Sequence, residues 1–485
     1  MFSRGGDSLV IPMSLHARNR ERLESDFPLN GRVIVVKGGS ELPLYDTDTY
    51  HDFRQESYFH WLFGVKEPGC LGILENDKSI LLVPRLPKEY QAWMGPIKSL
   101  EWFKETYLVD SVRYTDELEE LVQGKRLVYI RNHNLDSGSS APVPHLPDDD
   151  VIAGQTLGDS IDVLRSVKTP EEVRVLQFVN NVTCRAHIDV MQKIFSGTFG
   201  RVQEMEHFAE TVFRFGCALQ GCSRVGYNCI ACAGERNAIL HYGHPAEPNN
   251  NVVPRNCMRL LDMGAEYHCY TADVTNTFPT SGKYSDMQKA VYLCVWETVV
   301  AVERKLKPGV SYRDMHRYAQ RVLLEQMMER TDIILSNDIE GMVSDNLIAR
   351  LFMPHGLGHM LGLNVHDVGG YTKSDPRDKS DVSLTGLRLG KTLRQGMVIT
   401  VEPGIYFIDY LIEEAKADPK LQGYVNWKRC EDLKHEVGGI RIEDDVLITE
   451  NGCLVLTDLP RTPEDIENVM QCKLNWEVGQ QQRSY

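Results

Sequence analysis

No run of 18 apolar residues occurs in this chain, so no helical membrane span is expected. The most apolar stretch, VYLCVWETVVAV at 291–302, is interrupted by Glu297. The N-terminus, MFSRGGDSLVIPMSLHARNR, lacks the apolar core and small-residue cleavage site of a secretory leader, so a cytoplasmic protein is expected. A basic footprint is missing as well. Against 53 lysines and arginines stand 68 aspartates and glutamates, a formal charge of −15, which argues against a nucleic-acid partner. There is no tandem repeat and no low-complexity segment. Cysteine is present at 12 residues, but they are scattered and no export signal accompanies them; reduced thiols are expected. The Cys-x-x-C of YNCIACAGE, Cys229 and Cys232, has no second pair at zinc-finger spacing and reads as two buried strand residues. The sequon NVT at 181–183 is read as chance.

What is present is material for a large core. The chain has 485 residues, 42% of them hydrophobic, which suits about two or three domains. Up to residue ~160, short β-like runs alternate with helical ones. GRVIVVKGG (31–39), GILENDKSILLVPRL (72–86, turning at Glu75–Lys78) and KRLVYIRNH (125–133) read as strands. A loop rich in Ser, Pro and Asp follows at 135–150. A helix should then begin at Thr169, with Pro170 in its first turn, Glu171 and Glu172 at its positive end, and Val173, Leu176, Val179 and Val182 at helical spacing. A domain boundary is placed just before it, near residue 160. A second helix should begin at Ser285, where Gln288 completes a capping box, and stop before Pro308.

Between these helices, MRLLDMG and YHCYTADVTNTF read as two strands of a hairpin turning near Gly264–Ala265. Asp262 sits in one apolar run and Asp273 in the other. They could be strand-end residues making turn hydrogen bonds, but burying an unpaired carboxylate costs several kcal/mol. Glu402 ends the apolar run of GMVITVEPGIYF, and Glu443 lies in the alternating strand GGIRIEDDVLIT, between Ile440, Ile442 and Val446. Each acid taken singly reads as a solvated strand residue. Four apolar runs each carrying one are harder to dismiss. FMPHGLGHMLGLNVHDVGG (352–370) adds His355, His359 and His366. His355 and His359 are four apart, but two glycines and no Glu lie between them, so a loop or strand end is expected in place of a zincin helix. The glycines should give the backbone freedom to pack three imidazoles together. Four carboxylates and an imidazole form an oxygen-rich set suited to hard or borderline cations such as Mn²⁺ or Co²⁺. Two divalent ions would balance four negative charges, the co-catalytic two-metal arrangement.

The segments LLDMGAEYHCYTADVTNTFP, MPHGLGHMLGLNVHDVGG, VITVEPGIYF and GGIRIEDDVLIT resemble the metallopeptidases of the pita-bread fold. That family includes methionine aminopeptidase, aminopeptidase P, prolidase and creatinase, and the likeness is greatest to its prolidase branch, the Xaa-Pro dipeptidases. It extends through FRQESYFHWLFGVKEPGC (53–70), LLVPRLP (81–87) and QAWMGP (91–96). The resemblance implies an α/β (α+β) chain, with an N-terminal aminopeptidase-P-like α/β domain over 1–160 and a C-terminal pita-bread catalytic domain over 161–485. It implies two divalent metal ions per subunit, with Mn²⁺ the expected ion. Asp262 would hold one metal, Asp273 and Glu443 would bridge both, and His359 and Glu402 would complete the second site. His355 would stabilise the tetrahedral intermediate and Glu402 would shuttle the proton, while His241, His359, His366 and Arg388 would contact substrate. Arg441 would stand behind the bridging carboxylates, and Trp93 of a neighbouring subunit would close over the site in a homodimer. The reaction implied is hydrolysis of dipeptides with C-terminal proline by a hydroxide bridging the two metals, with Arg388 holding the free carboxylate. The turn departs from the family's frequent Gly–Gly at Gly264–Ala265, and the loops at 248–256 and 374–385 differ in detail. Rival readings are an aminopeptidase P acting on longer peptides, a non-catalytic binding module on the same fold, and creatinase-like C–N hydrolysis.

Overall fold

The structure is a computed structural model describing residues 1–130, 133–134, 136–142, 157–197, 199–372 and 375–485. Residues 135 and 143–150 of the Ser/Pro/Asp loop, Ser374, and positions 131–132 of the strand expected at 125–133 lie outside the described residues. Chain contacts divide into two units, Met1–Arg165 and Ser166–Tyr485. No helix among the described residues is long and apolar enough to cross a membrane.

In the first unit, β1 (Arg32–Lys37), β2 (Leu71–Glu75), β3 (Lys78–Val83), β4 (Ser111–Tyr114) and β5 (Arg126–Val128) form a mixed sheet in the order β4-β3-β2-β1-β5. β1 runs parallel to β5 and β3 to β4, while β2 is antiparallel to both its neighbours. The β2–β3 hairpin turns at Asn76 and Asp77, with φ of 46° and 61°; these side chains tolerate the left-handed region that a tight two-residue turn requires. Val33, Val35, Ile73, Leu82 and Leu127 form part of the core beneath this sheet.

In the second unit, the strands are β6 (Arg224–Val225), β7 (Ile230–Ala233), β8 (Met258–Asp262), β9 (Ala265–Tyr267), β10 (Tyr270–Thr271), β11 (Thr275–Pro279), β12 (Val398–Val401), β13 (Gly404–Tyr406), β14 (Gly439–Arg441), β15 (Asp444–Ile448) and β16 (Cys453–Val455). Two long hairpins organise them. In the first, β8 pairs antiparallel with β11, the chain breaks, and β9 pairs with β10 beyond the break. In the second, β12 pairs with β15, and beyond a break β13 pairs with β14. β7 extends β8, β6 extends β9, and β16 extends β15.

This arrangement corrects two expectations. The first hairpin does not turn at Gly264–Ala265 but at His268 and Cys269, with φ of 49° and 61°. Gly264 is small for another reason: a Cβ there would lie 1.8 Å from the Ala272 carbonyl oxygen, so the two arms meet at the break. Glu443 is not in mid-strand either. It falls in the break between β14 and β15, because the strand changes partners there, from β13 to β12.

The helix Pro170–Phe195 starts as its sequence dictates. Thr169 accepts from Glu172 N at 3.2 Å, and the Glu172 carboxylate accepts from Thr169 N at 2.9 Å. Leu176, Val179 and Val182 are buried. The sequon Asn181 lies within this helix. Its next turns serve the first break: Thr183 Oγ1 accepts from Ala265 N at 3.1 Å, and His187 donates from Nε2 to the Met263 carbonyl at 2.9 Å. Backbone groups exposed by a broken strand must find partners, and this helix supplies them. The second capped helix runs Asp286–Glu303, with Ser285 and Gln288 closing its box.

Candidate active site

Each of the four acids sits where a strand changes sheets. Asp262 ends β8, Asp273 lies between β10 and β11, Glu402 between β12 and β13, and Glu443 between β14 and β15. A strand break frees the side chain from the alternation of either sheet. The two breaks lie side by side: Glu443 N donates to the Thr275 carbonyl at 3.2 Å, and Thr277 Oγ1 donates to the Arg441 carbonyl at 2.7 Å. Arg461 fastens them further, donating to the carbonyls of Thr275 at 2.9 Å and Glu443 at 2.7 Å.

The histidine segment is a loop, as expected, running along β12. Thr400 N donates to the His359 carbonyl at 3.0 Å, and Glu402 N to the Leu357 carbonyl at 2.8 Å. The glycines of HGLGH have a different role from the expected one. Neither adopts positive φ. A Cβ on Gly358 would lie 2.1 Å from the Thr400 carbonyl oxygen, and one on Gly356 2.6 Å from Leu387 Cα, so they allow backbones to touch. That close approach sets His359 beside the acids.

His359 donates from Nδ1 to the Met360 carbonyl at 3.0 Å, which leaves Nε2 facing Asp273 at 3.2 Å and Glu402 at 3.5 Å. Ligand atoms of Asp273, His359 and Glu443 all fall within 4.8 Å of one another. Arg441 donates from Nη2 to Asp262 at 2.7 Å, from Nη1 to the Tyr406 hydroxyl at 2.9 Å and from Nε to Thr275 Oγ1 at 3.1 Å. Thr275 in turn donates to Glu443 at 2.6 Å. His355 donates from Nδ1 to the Gly356 carbonyl at 2.8 Å and accepts at Nε2 from Tyr406 at 3.0 Å.

One cavity of about 420 Å³ gathers these residues. Its lining includes the five expected ligands with His241, His355, His366, Arg388 and Arg441. The acids Asp262, Asp273 and Glu443 are buried, whereas His241 and His366 are exposed at the mouth. His366 meets His359 edge to face, with ring centroids 4.5 Å apart. Trp93 lies in the other unit, 85% exposed. Cys229 and Cys232 are buried as expected, Cys232 within β7, and burial pushes both thiols up to about 12.

Electrostatics follow from crowding acids in a dry site. Burial pushes Asp262 up to about 6, with Arg441 opposing, and Glu402 up to about 7. Burial and the neighbouring Asp273 push Glu443 well above the carboxylate range. For Asp273, burial is overcome by the hydrogen bond from His359, and its carboxyl stays below the usual value. Burial disfavours a charged His359, but Asp273 and Glu402 outweigh it and raise the ring to about 9. His355 is driven down to about 3, chiefly by burial, and His366 is lowered by partial desolvation against the cavity wall and by the positive charges of His359 and Arg388 nearby. The cluster thus competes strongly for positive charge, and oxygen donors with one imidazole suit a hard or borderline divalent cation. The residues fit a metal centre.

Sequence reasoning missed several neighbours. Tyr227 donates to Asp262 Oδ1 at 2.6 Å, and nothing in VGYNCI signals it. Asp445 accepts from Asp273 N at 3.0 Å, and the acid triplet Glu443–Asp445 was a readable sign. Tyr406, four residues after Glu402, links Arg441 to His355.

Residues 175–450 match metallopeptidase family M24, and residues 16–128 match the aminopeptidase P N-terminal domain. The chain is similar to the Xaa-Pro dipeptidase of Mus musculus, 42% identical over 97% of this chain and 96% of that protein. It is also similar to a probable Xaa-Pro aminopeptidase of Sordaria macrospora, 32% identical over 95% of this chain and 96% of the other. Among solved structures, the Pseudomonas aeruginosa aminopeptidase PepP superposes with a TM-score of 0.77 at 26% identity, covering 96% of this chain and 99% of that one. The paired hairpins with their acids at the breaks, and the extent of these matches, establish that the chain belongs to metallopeptidase family M24, with an aminopeptidase P N-terminal domain ahead of the M24 domain.

Proposed function

We propose that the protein is a metal-dependent Xaa-Pro dipeptidase. The observation that carries this reading is one cavity uniting five oxygen and nitrogen donors with Arg388, at a volume of about 420 Å³. The 42% identity with a mammalian Xaa-Pro dipeptidase over 97% of the chain supports it. Two divalent cations, which we assign as Mn²⁺, would be held by Asp262 on one side, by His359 and Glu402 on the other, and by Asp273 and Glu443 between. When bound, they supply Lewis acidity and a water of pKa about 7 at neutral pH. Four carboxylates, three buried and Glu402 partly so, match their charge.

The chain's own residues supply the rest. Arg388 binds the free carboxylate of a C-terminal proline with its planar fork, which favours dipeptides over longer chains. His241 and His366 hold the substrate at the mouth, with His359 beneath them. Glu402 is assigned to carry a proton to the proline nitrogen, a leaving group without an N–H of its own. His355 is assigned to the carbonyl oxygen. Both of its ring nitrogens are already engaged, so substrate must draw its ring from Gly356 or Tyr406 before it can donate. The catalytic domain is placed at 161–485 and the N-terminal domain at 1–160, a division supported by the contact boundary at Arg165. We assign a homodimer, in which the exposed Trp93 reaches a neighbour, and a cytoplasmic location, which suits buried free thiols such as Cys184 and Cys232.

The test is hydrolysis of Gly-Pro by metal-stripped protein with and without Mn²⁺, alongside Gly-Pro-Pro. Metal-dependent cleavage of the dipeptide alone is expected. Cleavage of the tripeptide would favour the second reading, an aminopeptidase P, which the similarity to PepP keeps in view.

A further inference from the structure

A second hollow, of about 620 Å³, lies in the same unit apart from the acid cavity. It is bounded by the turn Gly200–Glu204, by residues 253–256 and by the exit of β11 at Thr280 and Ser281. Arg201, Arg255 and Arg259 line it, and among the described lining residues Glu204 is the one carboxylate. Arg201 and Arg255 are exposed, and neither forms an ion pair with any described residue.

Arg259 is the unusual member. It is the second residue of β8 and is 0% exposed. Side chains alternate along a strand, so it projects from the sheet face opposite Asp262. Its Nη2 donates to the carbonyls of Glu206 at 2.9 Å and Met205 at 3.4 Å. Its Nε and Nη1 are buried without a hydrogen-bond partner among the described residues. The carboxylate whose charge it senses, Glu206, is already engaged by Arg236 Nε at 2.6 Å and by the Tyr242 hydroxyl at 2.6 Å. Burial pulls the guanidinium down to about 10, which records how poorly it is compensated. The N-terminus of the helix Glu206–Leu219 adds positive potential beside it. A desolvated cation with idle donors, next to a hollow holding two more guanidiniums, is costly unless an anion completes it.

We propose that this hollow is an anion-binding site that takes a small phosphate-class anion, held by Arg259 with Arg255 and Arg201. Guanidinium forks pair bidentately with phosphoryl oxygens, and three positive charges suit a multiply charged anion better than a lone carboxylate. The proposal stands independently of the peptidase reading, since none of its residues lines the acid cavity.

The probe is inorganic phosphate, titrated calorimetrically into the metal-loaded, desalted protein at constant ionic strength and followed in parallel by thermal unfolding. Saturable binding is expected, with a rise in unfolding temperature. Arg259→Met, which keeps the volume and removes the charge, should weaken binding about tenfold or more, as expected for charge-assisted hydrogen bonds. A response that survives Arg259→Met overturns the proposal, and its loss in Arg388→Met would place the anion in the acid cavity instead. Should Arg259→Met fail to fold, the surface variant Arg201→Ala/Arg255→Ala carries the test, and unchanged affinity there overturns the proposal. So does the absence of binding by the unaltered protein at millimolar phosphate.

Discussion

Arg441 Nη2 donates to Asp262 Oδ2 at 2.7 Å, tying the end of β14 to the end of β8 across the seam between the two hairpins. The same side chain reaches Tyr406 and Thr275, so it orients Asp262 directly and Glu443 through Thr275. Arg441→Lys keeps the charge but cannot reproduce three contacts from one planar group. Groups that orient metal ligands typically change metal affinity or activity by about 10–100-fold, and Arg441→Lys is expected to weaken Mn²⁺ binding by that factor while leaving the fold intact. Equilibrium dialysis and circular dichroism together check this; unchanged affinity would remove Arg441 from the metal site.

The metal-stripped protein should lose stability as pH rises above neutrality. Asp262 and Glu402 are raised in the fold to about 6 and about 7, so the folded chain holds protons that the unfolded chain has released above about pH 4. Their contribution therefore falls between about pH 4 and 7. His359, raised to about 9, extends the decline, because its stabilisation is complete below its unfolded value and lost as pH passes 9. Asp273, held low, acts only below this window. Below about pH 6.5 the opposite trend comes from buried rings held low, among them His355, His16, His187 and His316, which are stabilised as pH rises toward their unfolded value. The clean window therefore lies above it: the unfolding temperature in chelator should drop from about pH 7 to about pH 9, and Mn²⁺ should reverse the drop. A flat or rising profile in chelator between about pH 7 and about pH 9 would contradict the charge balance described for Glu402 and His359.

Arg388→Met should lower kcat/KM for Gly-Pro by about 10–150-fold, the range for one charge-assisted hydrogen bond pair. Gly-Pro-amide, which lacks the carboxylate, should be a poor substrate for the unaltered protein and nearly insensitive to the substitution. Equal losses on both substrates would mean that Arg388 acts elsewhere.

Gly358→Ala places a Cβ 2.1 Å from the Thr400 carbonyl oxygen, a backbone atom that cannot rotate away. Overpacking of this kind costs about 1–3 kcal/mol, and the displaced loop carries His359. Denaturant unfolding should show the loss, with metal affinity falling in parallel. Full stability with Ala at this position would show that the loop adjusts freely.

Cys229 and Cys232 should resist alkylation in the folded protein, since burial suppresses both thiolates. Cys472, which is exposed, should label first. Mass spectrometry after brief iodoacetamide treatment distinguishes them; rapid labelling at Cys229 or Cys232 would reopen a redox or metal role.

Much of this protein could be read from local rules. Caps at Thr169 and Ser285 need only neighbours three residues away, and both helices begin as their residues dictate. The four acids stood out because each interrupts an apolar run, and that conflict with burial is visible without coordinates. Tertiary structure alone decided how the conflict is resolved. Gly264 and Gly358 are small because distant backbone, at Ala272 and Thr400, presses on them. Tyr227 reaches Asp262 from 35 residues away, and Arg461 joins Thr275 to Glu443 across more than 160. Local propensity depends on near neighbours, so it could mark the acids as anomalous. Which partners surround them depends on how two broken hairpins pack, and that is fixed only when the chain is folded.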